Sequence, residues 1–261
     1  MSRILVIGSS NTDMVIRVPA LPRPGETVLG GEFAINGGGK GANQALAAAR
    51  AGGAVTFLAR VGDDDFGRRA LDGLGAAGVD TGPCIVDADS PSGVAQILVD
   101  AGGENCIAVA PGANARLAPG DLAAAGEHFL AGNLVLLQLE TPLATVAAAL
   151  GRARDAGFLA VAHAGEEGPA RNIRGALEAL GVQRIDHGVR CLESEDVVQR
   201  LKESQTVLTV CPLSNVSLKV VDQLDQHPLP ALLEAGLKVT ISSHDVTHET
   251  TGIIARVSNL Q

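Results

Sequence analysis

The sequence predicts an α/β protein with a mainly parallel sheet of about eight strands flanked by helices. Hydrophobic residues make up 46% of the 261 residues, which is enough for a sizeable core and excludes a disordered chain. Short apolar runs of strand length alternate with segments of helical periodicity along most of the chain. This alternation is typical of parallel strands joined by helices that cover the sheet.

The strands are expected where short runs are rich in branched aliphatic residues. These runs are RILVIG, AVTFLARVG, GVAQILVD, NLVLLQLE and FLAVAH, followed later by RIDHGV, TVLTVCP and KVTISSHD. Helices are expected between them, and the first four end at glycines: GANQALAAARAGG, FGRRALDGLGAAG, PGDLAAAGEHFLAG and LATVAAALGRARDAG. NIRGALEALG, DVVQRLKESQ and LPALLEAGL are the later helices. GETVLGGEFAIN and GVAQILVDAGGENCIAV instead favour antiparallel ribbons, which would form a small lid over roughly residues 11–35 and 91–110.

Charge and aromatic content argue against nucleic acid and membranes as partners. The formal net charge is -9, no basic run occurs, and the chain has neither Trp nor Tyr. Apolar stretches are interrupted before they reach the length of a membrane span, and the N-terminus is not typical of a secretory signal. Four dispersed cysteines without C-x-x-C spacing favour buried, inert thiols and a cytoplasmic location.

Glycine and histidine are distributed unequally along the chain. Residues 1–160 contain 25 of the 32 glycines but, among six histidines, only His128. Glycine permits close backbone approach, whereas histidine serves metal and proton-transfer chemistry. The sequence therefore predicts a first part over residues 1–160, a second over residues 161–245, and an unassigned tail over residues 246–261.

A glycine-rich segment, INGGGKGANQ, precedes the first Ala-rich helix. Its glycines would let the backbone approach a ligand, and the helix start offers unpaired N–H donors. It is not a P-loop, because Gly41 follows Lys40 where that motif has Ser or Thr. Taken alone, the segment fits a tight turn equally well.

The ordered motifs around this segment indicate a family. GSSNTDMVIRVPALPRPGET, INGGGKGANQALAAARAG, RVGDDDFGRRALDGLGAAGVD, GGENCIAVAPGANARL and LLQLETP closely resemble the ribokinase branch of the sugar kinases, over roughly residues 1–160. The resemblance implies a central sheet with a small β-lid, which often forms a homodimer contact, and a pocket for a ribose-like sugar. The residues that it implies in that pocket are Asn11 and Asp13 on sugar hydroxyls, Gly38, Gly39, Lys40 and Asn43 along the lining, and Glu140 on the sugar.

The phosphoryl-transfer motifs of that family do not occur in this sequence. The family's G-A-G-D motif provides an anion hole and the Asp that deprotonates the sugar hydroxyl, and its N-x-x-E element binds ATP. Neither motif is present. Loss of a general base alone typically costs ~10²–10⁴-fold in rate. We therefore expect neither ATP–Mg²⁺ as cofactor nor efficient phosphoryl transfer.

Polar motifs in the second part fall at the ends of its predicted strands. They are AHAGEEGP, RIDHGVR, LTVCPLSN and KVTISSHD. In an α/β barrel the carboxyl ends of the strands form the face that carries the chemistry. His163 with Glu166 three residues later can pair a metal ligand with a proton shuttle.

HAGE, IDHG and CPLSN in this order resemble the C-terminal half of the zinc-dependent adenosine and adenine deaminases. The resemblance covers roughly residues 161–245 and implies a half (β/α) barrel. It implies His163 as a zinc ligand, Glu166 as proton shuttle and His187 as the residue that orients the attacking water. The family's H-x-H zinc ligands are absent, and SHD replaces its S-D-D. His244 therefore takes the place of the metal-binding Asp, and Asp245 that of the purine-binding one.

The sequence thus resembles a chimera and leaves three functions open. The first is a sugar-binding protein with little or no phosphoryl transfer. The second is a zinc-dependent purine deaminase that acts on a purine nucleoside or base. The third is a non-catalytic hybrid scaffold in which both sites are inherited but unused.

Overall fold

A computed structural model of the protein describes residues 3–130, 132–158, 161–166, 168–217 and 219–241. The chain divides into two compact units, Met1–Ala149 and Leu150–Gln261. The boundary expected at residue 160 lies later in the sequence than this division, and it stays a prediction.

The first unit combines two types of sheet with helices. Its strands are β1 (Arg3–Ile7), β2 (Asn11–Arg17), β3 (Phe33–Gly38), β4 (Ala54–Leu58), β5 (Arg60–Gly62), β6 (Ile85–Asp87), β7 (Gly93–Val99), β8 (Asn105–Ala110) and β9 (Leu134–Leu137). Its helices are α1 (Lys40–Arg50), α2 (Asp65–Ala76) and the beginning of α3 (Leu143–Asp155), with 3-10 helices at Gly112–Arg116 and Pro119–His128. The segment from Pro119 was expected to be α-helical. It is 3-10 instead, with a kink at Ala125, where φ is -112° and ψ is 19°.

A parallel sheet in the order β4-β1-β9 carries the core of the first unit. Both faces of β1 are rich in branched aliphatic residues, as a strand covered on both sides requires. Helix α1 packs against β1 and β4. Val6, Ala45 and Phe57 are completely buried in the resulting cluster. This packing fixes the end of β1 next to the start of α1, where the candidate site lies.

A second sheet, in the order β3-β2-β7-β8, corresponds to the predicted lid. Strands β2 and β7 pair in parallel at its centre, and β3 and β8 flank them in antiparallel orientation. Phe33, Ile35 and Ile107 of this sheet are about half exposed. The homodimer through the lid stays a prediction.

The second unit alternates strands and helices regularly. After the end of α3, its elements are β10 (Val161–Ala164), α4 (Ala170–Ala179), β11 (Arg184–His187), α5 (Glu195–Ser204), β12 (Val207–Val210), α6 (Pro212–Ser217), α7 (Leu229–Glu234) and β13 (Lys238–Ile241). Short 3-10 helices lie at Val189–Glu193 and Leu224–Gln226.

The four strands of this unit form one parallel sheet in sequence order, β10-β11-β12-β13. Ile173, Ile185 and Leu208 are completely buried in its core. The α/β class with mainly parallel strands and flanking helices is confirmed. The count of about eight strands in one sheet is not confirmed: the described parallel strands form one sheet of three strands, one of four, and the pair β5-β6.

The cysteines are free, and Cys191 and Cys211 are buried as expected, but Cys84 is only partly buried and Cys106 is exposed. Cys106 lies on β8, whose residues are all exposed. Burial raises the pKa of Cys84 and of Cys191 to about 12, so both remain thiols at neutral pH. Among the described residues, no helix has the length and apolar character needed to cross a membrane.

Candidate functional sites

The first candidate site is built where the end of β1 meets the start of α1. Gly39 precedes α1 with φ at 88°, a conformation that favours glycine. A Cβ atom at Gly39 would lie 2.8 Å from the backbone nitrogen of Asn11, and one at Gly41 would lie 2.7 Å from that of Ser9. The glycines of the GGGKG segment therefore permit two backbone segments to touch, which places the N-terminal turn of α1 against residues 9–11.

Glu140 closes this arrangement from the segment that follows β9. Its Oε2 accepts hydrogen bonds from Ser9 Oγ at 2.6 Å and from the backbone N–H of Lys40 at 3.0 Å. Lys40 Nζ lies 3.6 Å from Glu140 Oε1. The Glu140 carboxylate thus binds the first N–H of α1, where a negative charge is stabilised by the helix dipole.

Asp13 is the second carboxylate of the site and projects from β2. Asp13 pairs with Asn36 of β3, and its carboxyl group lies over Gly38, where any Cβ atom would overlap it. Burial raises the pKa of Asp13, and the nearby negative charge of Glu140 raises it further. The carboxylates of Asp13 and Glu140 therefore lie close enough for their charges to interact.

Asn11 is oriented by a buried residue that the sequence analysis did not select. Asn114 is 1% exposed, and its Nδ2 donates to Asn11 Oδ1 at 2.8 Å. Asn114 Oδ1 accepts the backbone N–H of Ser10 at 2.9 Å. Because its oxygen is used by Asn114, the Asn11 amide offers its NH₂ group as a donor.

The structure brings most of the predicted sugar-site residues together. Asn43 differs, because it is exposed on the first turn of α1; its backbone N–H donates to the Gly39 oxygen at 2.9 Å, and its side chain has no hydrogen-bond partner among the described residues. Ser9 and Asn114 are additions to the predicted set. Both lie within motifs that carried the resemblance, GSSN and PGANARL, but their types are common in turns. The roles of these residues toward a sugar stay predictions.

The second candidate site lies at the carboxyl ends of β10, β11 and β12. His163 is on β10, and Glu166 follows that strand after Gly165, where φ is 70°. This left-handed residue turns the chain so that the Glu166 side chain returns towards His163. His187 ends β11 with φ at 68°, an uncommon conformation for a residue with a side chain.

Two histidines bracket the Glu166 carboxylate. His163 Nε2 lies 3.2 Å from Glu166 Oε2, and His187 Nδ1 lies 3.1 Å from Glu166 Oε1. The two imidazole centroids are 4.5 Å apart, and one donor atom from each of the three residues falls within 4.8 Å of the others. Glu166 and His187 are buried, whereas His163 is partly exposed. The cluster can therefore be reached from solvent on the His163 side.

The Glu166 carboxylate is stabilised in its charged form. Burial by itself opposes that charge, but the hydrogen bond from His163, the nearby His187 and the amide of Asn215 outweigh burial and lower the pKa of Glu166. Asn215 Nδ2 donates to Glu166 Oε1 at 2.7 Å, and Ser214 Oγ lies 3.5 Å from the same oxygen. Glu166 is thus an ionised acceptor whose lone pairs face four surrounding groups.

Asn215 and His227 are further residues of this site that the sequence analysis missed. Asn215 belongs to the CPLSN motif at the end of β12, so that motif could have indicated it. Nothing in the sequence around His227 marks it, because its role depends on the return of the chain before α7. His244 and Asp245, predicted as metal ligand and purine contact, lie outside the described residues. The roles of His163, Glu166 and His187 stay predictions.

Comparison with known proteins assigns both parts of the chain. The family model for pfkB carbohydrate kinases matches residues 1–174, about two thirds of the sequence. The chain belongs to the pfkB carbohydrate kinase family. A second model, for adenosine deaminase, matches residues 138–259. The resemblance to both families is thereby confirmed.

The ribokinase of Cryptococcus neoformans, solved in complex with ADP, is similar to this pfkB family member in sequence and fold. The two sequences are 30% identical, and the two structures superpose with a TM-score of 0.60. The match covers 80% of this chain and 73% of the ribokinase. This similarity supports the ribokinase-like fold.

Curated adenine deaminases match the C-terminal part. The protein of Rhodospirillum rubrum is 48% identical over 122 residues, and that of Vibrio parahaemolyticus is 56% identical over 94 residues. These matches cover 47% and 36% of this chain, and 36% and 28% of the deaminases. The chain therefore fuses a ribokinase-like region to an adenine-deaminase-like region that spans about a third of such an enzyme.

Proposed function

We propose that the first unit binds a ribose-like sugar at the polar cluster formed by Asn11, Asp13 and Glu140. The observation that carries this proposal is that the Asp13 carboxylate, which lies over Gly38, is close enough to Glu140 for that residue to raise the pKa of Asp13. A carboxylate accepts hydrogen bonds from adjacent hydroxyl groups, and the NH₂ of Asn11 donates to a sugar oxygen. A sugar also relieves the repulsion between the two carboxylates by donating its hydroxyl hydrogens.

Phosphoryl transfer is not part of this proposal. The sequence contains no G-A-G-D motif, so the general base and the anion hole that the kinase resemblance implies are missing. Positioning and charge stabilisation account for most catalysis of phosphoryl transfer, so a bound sugar without them is consumed slowly. We therefore expect sugar binding without efficient turnover of ATP.

The test is thermal unfolding of the full chain with and without ribose, repeated in the presence of ATP and Mg²⁺ with a phosphorylation assay. Ligand at 100 times its Kd stabilises the folded protein by ~2.7 kcal/mol. We expect ribose to raise the midpoint for the wild type and for Asp72→Asn, whose side chain is exposed on α2, but not for Asp13→Ala. Absence of any ribose effect, or phosphorylation at a rate usual for kinases, would contradict the proposal.

A second candidate function, a metal-dependent purine deaminase reaction, is favoured by the cluster of His163, Glu166 and His187. Imidazole nitrogen and carboxylate oxygen are donors that zinc accepts. One donor atom from each of the three residues lies within 4.8 Å of the others, a spacing at which the cluster could hold a metal ion. The chemistry of these donors therefore fits zinc, with His163 as its ligand in this proposal, although the H-x-H pair is absent from the sequence.

In this second function His163 binds the metal, Glu166 moves a proton at the purine ring, and His187 directs a hydrogen bond at the reacting centre. Zinc, when bound, supplies a water whose pKa falls to ~7. The buried Glu166 carboxylate is ionised, so it starts as a proton acceptor. The four surrounding donors restrict it to one orientation.

Zinc titration of metal-free protein, followed by an ammonia assay with adenine and adenosine, tests the second function. We expect stoichiometric zinc binding by the wild type and by His128→Gln, a histidine of the first unit, and its loss in His163→Ala. Zinc binding that survives in His163→Ala would contradict the assignment. Zinc binding without ammonia release would leave a metal site and exclude the deaminase.

A further inference from the structure

A chain of buried side chains lies behind the His163–Glu166–His187 cluster. The backbone N–H of Leu229, at the start of α7, donates to His227 Nδ1 at 3.0 Å. His227 Nε2 lies 3.0 Å from Asn215 Oδ1, and Asn215 Nδ2 donates to Glu166 Oε1 at 2.7 Å. Asn215 is completely buried, and His227 and Glu166 are 5% and 4% exposed.

The hydrogens along this chain follow from its fixed end. A backbone N–H can only donate, so His227 Nδ1 must be unprotonated and Nε2 must carry the hydrogen. Nε2–H then donates to Asn215 Oδ1, which turns the NH₂ group of Asn215 towards Glu166. Burial lowers the pKa of His227, which favours the neutral ring that this pattern needs.

The same logic extends from Glu166 to His187. Glu166 Oε1 already accepts from Asn215 and lies 3.1 Å from His187 Nδ1. Because this oxygen already acts as an acceptor towards Asn215, an unprotonated Nδ1 would turn its lone pair towards the lone pairs of Oε1. His187 therefore carries its hydrogen on Nδ1, even though Asn215 Nδ2 is 3.3 Å away. The lone pair of the ring is then on Nε2.

We infer that Asn215 and His227 are positioning residues, which orient the Glu166 carboxylate and thereby hold His187 as its Nδ1–H tautomer. Neither residue needs to touch a ligand for this role. The tautomer matters because only an unprotonated Nε2 can accept a hydrogen bond from, or bind, a group in the site. This inference rests on the second proposed function, because it concerns the residues of the proposed metal site. It describes the hydrogen positions of that site in the metal-free protein.

The test is a long-range ¹H–¹⁵N correlation spectrum of the full-length, metal-free protein at pH 8, which distinguishes protonated from unprotonated ring nitrogens. We expect the Nδ1–H pattern for His187 in the wild type. His227→Gln keeps a donor and an acceptor on one side chain and should retain that pattern. His227→Phe removes both, and we expect Nε2–H or a mixture of tautomers.

Asn215→Leu provides a second variant, which keeps a branched side chain of similar shape. It removes the amide that donates to Glu166 Oε1 without adding a new charge, so the carboxylate loses the contact that orients it and we expect the same loss of the Nδ1–H pattern. Zinc affinity should fall in His227→Phe and Asn215→Leu but not in His227→Gln, because Glu166, the partner of His163, loses its orientation; loss of such a partner typically costs ~10–100-fold.

The spectra decide the inference independently of zinc. A wild-type His187 that is protonated on Nε2, or on both nitrogens, would overturn it. So would an Nδ1–H pattern that persists in folded His227→Phe and Asn215→Leu, whatever their zinc affinity. If the wild type binds no zinc but the tautomers change as expected, the proposed metal function fails while the positioning roles are retained.

Discussion

Asp13 in the first unit and Glu166 in the second are both partly withdrawn from water, yet their pKa values move in opposite directions. Burial and the neighbouring Glu140 raise the pKa of Asp13. Burial also opposes the charge of Glu166, but His163, His187 and Asn215 outweigh it and lower the pKa. The neighbours of a carboxylate therefore decide the sign of its shift, because burial alone acts in one direction.

The two sites also differ in what builds them. The first is assembled mainly from backbone contacts through glycines, with Glu140 bound to a helix N-terminus. The second is assembled from polar side chains that bond to each other at the ends of three parallel strands. The first site should therefore tolerate loss of one polar group better than the second. Four substitutions, in order of expected effect, test how each site is supported: Phe57→Ala and Gly165→Ala change the supporting structure, whereas Glu166→Gln and Asp13→Asn change a carboxylate.

The largest effect is expected from Phe57→Ala, which empties the core beneath the first site. Phe57 is on β4 and is completely buried in the cluster that contains Ala42 and Ala45 of α1. Truncation of such a residue typically costs ~3–5 kcal/mol of stability. Denaturant unfolding measures this loss. Phe33→Ala, on an exposed side chain of β3, is the control and should change little. Equal effects of the two substitutions would contradict the core assignment.

Glu166→Gln should destabilise the second unit by ~1–3 kcal/mol, because buried donors lose their shared charged acceptor. A carboxylate with a lowered pKa adds stability above its ordinary pKa of 4.5, and this stability is lost as the pH falls through the lower pKa of the folded state. The difference between the wild type and the variant, measured by thermal unfolding, should therefore shrink in acid. Glu234→Gln, an exposed residue of α7, is the control. If the stability difference between the wild type and Glu166→Gln grew in acid, the pKa of Glu166 would have to be raised and not lowered.

Gly165→Ala should cost ~1–2 kcal/mol, since φ at 70° disfavours a residue with a Cβ atom. The new methyl group would also overlap Ile173. Gly175→Ala is a matched control within α4, where a Cβ atom meets open space and should stabilise the helix slightly. We expect thermal unfolding to show opposite signs for the two variants. A stabilised Gly165→Ala would mean that the turn before Glu166 is not required.

The smallest effect, and one of opposite sign, is expected from Asp13→Asn. A carboxylate with a raised pKa costs stability once the pH rises from its ordinary value of 3.8 through the folded-state pKa. Removal of the charge should therefore stabilise the protein at neutral pH, by no more than ~0.5 kcal/mol after solvent screening. Thermal unfolding with ribose should show that the added stability comes with lost sugar binding. Destabilisation by Asp13→Asn would remove the contrast with Glu166.

The sequence by itself determined the fold class and both families. Alternating apolar and helical segments encode strands and helices through local periodicity, and motifs such as GGGKGANQ and HAGE are contiguous in the chain. It also located His163, Glu166 and His187, because residues at the carboxyl ends of parallel strands share one edge of a sheet.

Only the tertiary structure decided which further residues complete the sites and how each carboxylate is charged. His227 reaches Asn215 through the return of the chain before α7, and Asn114 reaches Asn11 from a distant segment. The raised pKa of Asp13 likewise depends on Glu140, which is far away in sequence, and the lowered pKa of Glu166 depends on His187 and Asn215 as well as on the nearby His163. Periodicity and spacing describe local order, whereas hydrogen bonds and charges act between whichever groups folding brings within a few ångströms of each other.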